Sequence, residues 1–212
     1  PYHLLGWSLG GLIAQSMASQ LQGMSQDVGL LALMDCYPMG KNDTIPAWNA
    51  LEVLHGFAKA MVIDVSDMNH DALNIDSFLD AARQSDHILG CLNGEQGQRM
   101  LDIMRDYRKI IPTFTPERFN GDMLFFHATQ EEAAGINWAD KASPVAWERF
   151  TSGQIHTCQV ACAHTEMSNP IPIKEIGWQL EQYLLKKASK HASYQANHNN
   201  EITIRGVVDG LV

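Results

Sequence analysis

The sequence predicts an α/β fold, a mostly parallel sheet with helices on both faces, and three observations carry that prediction. An apolar run meets Gly6-Trp7-Ser8-Leu9-Gly10-Gly11 near the front and a helical pattern follows at once, a strand–turn–helix join. Val28-Gly29-Leu30-Leu31-Ala32-Leu33-Met34 is apolar without alternation, as in strands covered by helices on both sides. Strand-like and helical segments then interleave again from Asp122 onward rather than segregating, which favours right-handed crossover units.

Taken in order, Leu4-Leu5 make a short strand and Gly11 to about Gln22 a helix. Leu12, Ile13, Met17, Ala18 and Leu21 share one face of that helix, and Gly23 sits where a C-cap belongs. After the second strand, Cys36-Tyr37-Pro38 leads into a loop. Three helical patterns follow, Trp48 to Ala60, Ile75 to Leu89 (capped by Asn74 or Asp76) and Glu95 to Ile111. Their combined length reads as a helical lid inserted over the sheet, about Ile45 to Phe119. Asp122 to Ala128 is a strand, Thr129 to Ser143 is polar, and Pro144-Val145-Ala146-Trp147 is a short segment. Gln154 to Ala163 is the last strand, with His164 directly after it, and Pro170 to about Lys187 is a closing amphipathic helix. One domain is thus expected over 1–187, with a polar linker and tail over 188–212. Glu201 to Val212 is strand-compatible without a place in that domain. A buried strand within two residues of Pro1 predicts further strands upstream, in a longer polypeptide.

Composition narrows the function. The 212 residues, 45% of them hydrophobic and 18% charged, suffice for one substantial core. A net charge of −9 with no basic stripe argues against a nucleic-acid surface. No stretch reaches the length of a membrane span and no targeting segment stands at the front. The four cysteines (Cys36, Cys91, Cys158, Cys162) are scattered, which suits reduced thiols in a cytoplasmic protein.

The chemistry centres on Ser8. In a tight strand-to-helix turn flanked by Gly6 and Gly10, the serine is held in a strained conformation with its hydroxyl clear of the sheet. The Leu9 N–H then points where an oxyanion would form. A serine capping the helix is the competing reading. Serine needs a base to take its proton, and that base needs an acid to fix its tautomer. Loops at the carboxyl ends of parallel strands share one edge, and Ser8, Asp35 and His164 each follow a predicted strand. Asp35 competes as the acid with Glu131, Glu132 and Asp140; His164 competes as the base with His127, inside its strand, and His156, near the start of one.

A metal site is disfavoured. His156, Cys158, Cys162 and His164 would share a strand face, but Cys158 and Cys162 would stand about 13 Å apart. Zinc holds its ligands within about 2.3 Å. The Gly6 to Gly11 stretch also lacks the Lys-Ser/Thr of a P-loop.

Three motifs in sequence carry a resemblance. Gly6-Trp7-Ser8-Leu9-Gly10-Gly11 resembles the nucleophile motif of thioesterase domains that end nonribosomal peptide synthetases. Leu33-Met34-Asp35-Cys36-Tyr37-Pro38 resembles that family's acid motif, and Cys162-Ala163-His164-Thr165-Glu166-Met167-Ser168 its histidine loop. Trp147 falls in a similar region, and the likeness runs from Pro1 to about Lys187.

The resemblance implies an α/β-hydrolase fold with a helical lid. It implies Ser8 as nucleophile, His164 as base, Asp35 as acid and Leu9 as oxyanion donor, with Trp7 and Met39 as pocket-lining candidates. The implied reaction moves a peptidyl or acyl chain from a carrier domain's phosphopantetheine thioester onto the serine and releases it by hydrolysis or cyclisation. No bound cofactor or metal is implied; the partner is a peptidyl carrier domain upstream in the same polypeptide. An acid after the second strand is similar to the in-line releasing domains. The family's first strands and second oxyanion donor are expected upstream of Pro1. The alternatives are a free-standing editing thioesterase, a general serine esterase, and a non-catalytic carrier-binding domain.

Overall fold

Four parallel strands in the order β1-β2-β3-β4 form the sheet of the computed structural model, which describes residues 1–38, 49–61, 63–66, 68, 73–130 and 143–208. The strands are β1 (Tyr2–Trp7), β2 (Val28–Met34), β3 (Met123–Ala128) and β4 (Ile155–Val160). Helix α1 (Leu9–Gly23) joins β1 to β2; α2 (Ala50–Ala60), α3 (Ile75–Gln84) and α4 (Gly94–Ile110) stand between β2 and β3; α5 (Pro170–Val208) follows β4.

The unalternating strands bury both faces, as their composition demands. Leu31, Leu33, Met123 and Phe125 pack on one side with Leu12, Ala14 and Ala18 of α1. Leu30, Ala32, Met34, Leu124 and Phe126 pack on the other with Met167 and Ile176. A third cluster belongs to the helices between β2 and β3: Val53, Leu54 and Ala58 of α2 meet Phe78, Leu79, Ala81 and Ala82 of α3 and Leu101 of α4. Asn74 is the cap that starts α3, pairing reciprocally with Ser77, and Asn93 and Gln96 do the same for α4.

Several expectations are corrected. Helix α1 buries Leu12, Ala14, Gln15, Ala18 and Ser19, leaving Ile13 and Met17 half exposed. Gln15 and Ser19 face inward because both donate to the carbonyl of Glu117 ahead of β3. Gly23 is the last residue of α1 rather than its cap, and Ser25 takes the left-handed turn with φ 57°. Helix α3 stops at Gln84 instead of Leu89 because Asp86 turns left-handed at φ 50°, and a 3-10 turn (Ile88–Cys91) follows. Pro144–Phe150 is a 3-10 segment that buries Trp147 completely, with the indole N–H donating to the Cys36 carbonyl at 2.6 Å.

Strand β4 ends at Val160, opposite Ala128, the last residue of β3. His164 therefore does not follow the strand directly; it opens a 3-10 turn (His164–Glu166) four residues farther on. Helix α5 runs on through the segment read as a polar linker over 188–200 and through part of the strand-compatible tail. Between Gly177 and Gly206 the sequence holds neither glycine nor proline, and its Ala, Lys and Gln favour the helix.

Candidate active site

The carboxyl ends of β1, β2 and β3 lie side by side, and the register decides what meets there. Trp7 pairs with Met34, and Met34 with Phe126. The next residue of each strand therefore falls on one edge: Ser8, Asp35 and His127. The Ser8 N–H donates to the Met34 carbonyl at 3.0 Å, and the Asp35 N–H to the Phe126 carbonyl at 2.8 Å.

Ser8 has φ 54° and ψ −122°, a backbone state that L-residues rarely adopt. Its side chain makes no capping hydrogen bond, so the capping reading is set aside and the hydroxyl is left for other work. Gly6 permits the turn, since a Cβ there would collide with the Gly10 carbonyl. The second tight glycine is Gly11 rather than Gly10: a Cβ on Gly11 would stand 2.5 Å from the Cys36 Cβ, whereas Gly10 faces open space. Leu9 is the first residue of α1, so its N–H has no partner within the helix and lies at the positive end of its dipole.

Asp35 is buried, 8% exposed, and also left-handed at φ 43°. Its Oδ2 lies 2.8 Å from His164 Nδ1. Its Oδ1 accepts from the Tyr37 hydroxyl at 2.6 Å and from the Ala128 N–H at 3.1 Å. Burial pushes this carboxyl up, but the hydrogen bonds from His164 and Tyr37, the charge of His164 and the Ala128 N–H outweigh it. The group is held below the usual carboxylate range. The same surroundings raise the Tyr37 phenol, through burial first and then through its bond to Asp35 and that residue's charge. Burial, followed by the Asp35 charge, likewise raises the Cys36 thiol, so Cys36 stays protonated and inert.

His164 presents one ring nitrogen to Asp35, and its ring centroid lies 5.6 Å from that of Trp7, the residue before Ser8. A carboxylate on Nδ1 fixes the tautomer with the lone pair on Nε2, the form a general base requires. Trp7 packs with the core beneath α5, and among the described residues its buried indole nitrogen has no hydrogen-bond partner. Met39 lies outside the described residues, as do the competing acids Glu131, Glu132 and Asp140. His156 stands at the opposite, amino end of β4, 3.8 Å from Asp122 and against the Tyr183 ring. Among the described residues no group of three or more His, Cys, Asp or Glu is arranged to hold a metal ion.

Sequence reasoning passed over two members of this arrangement, Tyr37 and His127, as partners of Asp35. His127 Nδ1 lies 2.7 Å from the Tyr37 hydroxyl and 3.5 Å from Asp35 Oδ1. The signal was faint: a single polar residue inside the apolar strand Met123–Ala128, and a tyrosine two positions beyond the acid.

Comparison with known proteins identifies the family. The sequence model of the Thioesterase domain family matches residues 1–176. The chain is 32% identical over 184 residues to malpibaldin synthetase of Mortierella alpina, covering 84% of this chain and 3% of that one. It is 29% identical over 180 residues to a dimodular nonribosomal peptide synthase of Bacillus subtilis (strain 168), covering 84% of this chain and 7% of that one. The chain thus spans a small fraction of the length of the curated relatives it matches. Among solved structures, the wild-type Vlm2 thioesterase domain is similar with a TM-score of 0.59 at 19% identity, over 85% of this chain and 67% of that one. That likeness concerns the fold, an α/β-hydrolase arrangement.

Proposed function

Because this chain belongs to the Thioesterase domain family, we propose that it ends a nonribosomal synthesis by taking a peptidyl or acyl chain onto Ser8 and releasing it. The observation that carries the reading is that a strained Ser8 and the buried Asp35 follow paired strands on one sheet edge, with Asp35 2.8 Å from His164 and the His164 ring beside Trp7. In the first half-reaction His164 Nε2 takes the Ser8 proton as Oγ attacks the thioester carbonyl. The Leu9 N–H stabilises the oxyanion, and His164 returns the proton to the departing thiolate. In the second, His164 deprotonates water or a nucleophile within the chain as it attacks the acyl carbonyl, and returns that proton to Ser8 Oγ as the acyl–serine bond breaks. Asp35 keeps the imidazole oriented and offsets its charge throughout.

The substrate is proposed to arrive on the phosphopantetheine arm of a carrier domain, in keeping with relatives that are nonribosomal peptide synthetases. The helices of the 45–119 region, which have their own core, serve in this reading as a lid that walls the acyl chain and limits water. The reaction is assigned to the cytoplasm, in keeping with the free thiols of Cys36, Cys91 and Cys158. Among the described residues no helix is long and apolar enough to cross a membrane.

The test is covalent labelling with a fluorophosphonate. Wild type is expected to gain one phosphonyl group at Ser8, read by mass spectrometry, and Ser8→Ala to gain none. Labelling that persists in Ser8→Ala removes Ser8 as the nucleophile.

A further inference from the structure

The Asp35 carboxylate has a second side, and the groups there take no part in the steps above. We propose that Tyr37 and His127 are positioning residues: they hold Asp35 so that one oxygen stays on His164 and the carboxylate does not capture that histidine's proton. The proposal rests on the reading of Ser8, Asp35 and His164 as hydrolytic machinery.

Proton accounting carries it. An ionised carboxylate only accepts, and a phenol has one proton to give. Asp35 Oδ2 faces His164 Nδ1 at 2.8 Å, and Oδ1 faces the Tyr37 hydroxyl at 2.6 Å. The phenol proton is thereby committed to Asp35. The Tyr37 oxygen must then be the acceptor from His127 Nδ1 at 2.7 Å, which fixes the proton of His127 on Nδ1. The direct approach of His127 to Oδ1, at 3.5 Å, is too long for a good hydrogen bond. The result is a one-way chain, His127 to Tyr37 to Asp35, meeting His164 from the other side. Backbone and packing hold it in place, through the Asp35 N–H on the Phe126 carbonyl and the Tyr37 ring 5.3 Å from that of Phe125.

Its use follows from the reaction. His164 must carry a proton between taking it from Ser8 and giving it to the thiolate, so Asp35 must stay the weaker base. Burial alone works against that, and the Tyr37 and Ala128 donors on Oδ1 work for it. No net proton enters or leaves Tyr37 or His127. Among the described residues the titratable groups facing Asp35 are His164, Tyr37, His127 and the neighbouring Cys36.

The test combines fluorophosphonate labelling rates, hydrolysis of a short acyl-N-acetylcysteamine thioester, and proton NMR of the His164 Nδ1–H resonance. Tyr37→Phe is expected to lower kcat and the labelling rate about ten-fold with KM within about two-fold. With one donor gone, the Asp35 charge falls more fully on His164 and favours its imidazolium. The acid limb of the kcat/KM profile therefore moves up by about one pH unit. His127→Leu should shift the resonance and rate in the same sense, and His127→Gln, which keeps an N–H donor, should restore both. Wild-type rate, acid limb and resonance in Tyr37→Phe, or equal impairment of His127→Gln and His127→Leu, overturn the proposal. If wild type itself is not labelled, the hydrolytic reading fails instead, and the resonance alone still decides whether this pair holds Asp35.

Discussion

Ser8 and Asp35 are both non-glycine residues with positive φ, at 54° and 43°. Each costs of order 1–3 kcal/mol in backbone strain, and each sits at the end of a strand whose pairing over-determines it. Strain so placed aims two side chains over the sheet edge. Asp35 also carries a pH dependence. Its carboxyl is held below the ordinary value, so its ionised form stabilises the fold, fully above about pH 4 and progressively less as pH falls through the lowered value. The difference in denaturant stability between wild type and Asp35→Asn should therefore be full at pH 7 and narrow by pH 3. An unchanged gap would mean that the carboxylate contributes no charge-dependent stability. In turnover, Asp35→Asn should cost about a thousand-fold or more, whereas Glu131→Gln and Glu132→Gln should change little. The opposite ranking would move the acid to the segment after β3.

At the scale of the element, the turn from β1 to α1 places its glycine requirement where Cβ atoms would collide. Gly11→Ala forces a Cβ within 2.5 Å of the Cys36 Cβ, behind the acid, and should cost about 1–3 kcal/mol as overpacking. Gly10→Ala meets nothing within 4 Å and lies in α1; it should be neutral or stabilise by up to about 1 kcal/mol. Thermal melts of the two variants check the pair, and a destabilised Gly10→Ala would show that the turn is tighter than its geometry says. The segment before β4 is organised by Trp147, whose indole N–H pairs with the Cys36 carbonyl from a fully buried position. Trp147→Phe leaves that carbonyl without its donor and opens a gap, two separate reasons for lost stability.

For the molecule as a whole, three apolar clusters divide the labour. Two sandwich the sheet and fix the edge on which Ser8, Asp35, His127 and His164 converge. The third holds α2, α3 and α4 to one another. Because Phe78 and Leu79 pack within that third cluster, Phe78→Ala, a loss of about 3–5 kcal/mol, should act locally. Amide exchange should quicken in α2–α4 while β2 and β3 keep their protection. Equal loss of protection in the sheet would show that the helical segment and the sheet form one cooperative unit.

The sequence alone determined the parallel sheet, because unalternating apolar runs such as Val28–Met34 have no other stable use. It also marked Ser8 and Asp35, because a chain that turns sharply after such strands brings their carboxyl ends to one edge, and His164 as the histidine beyond the last strand, though nearer that strand's end than it stands. It misjudged the inward face of α1, where Gln15 and Ser19 turn in, since burial of a polar group depends on a distant acceptor, here the Glu117 carbonyl. The end of β4, opposite the last residue of β3, and the helical course over 188–200 were likewise invisible, the latter set by the absence of a breaker. Only the tertiary structure showed that His127 and Tyr37 stand behind Asp35. A contact across 90 residues is made by strand register, and register is decided by packing both faces of the sheet at once.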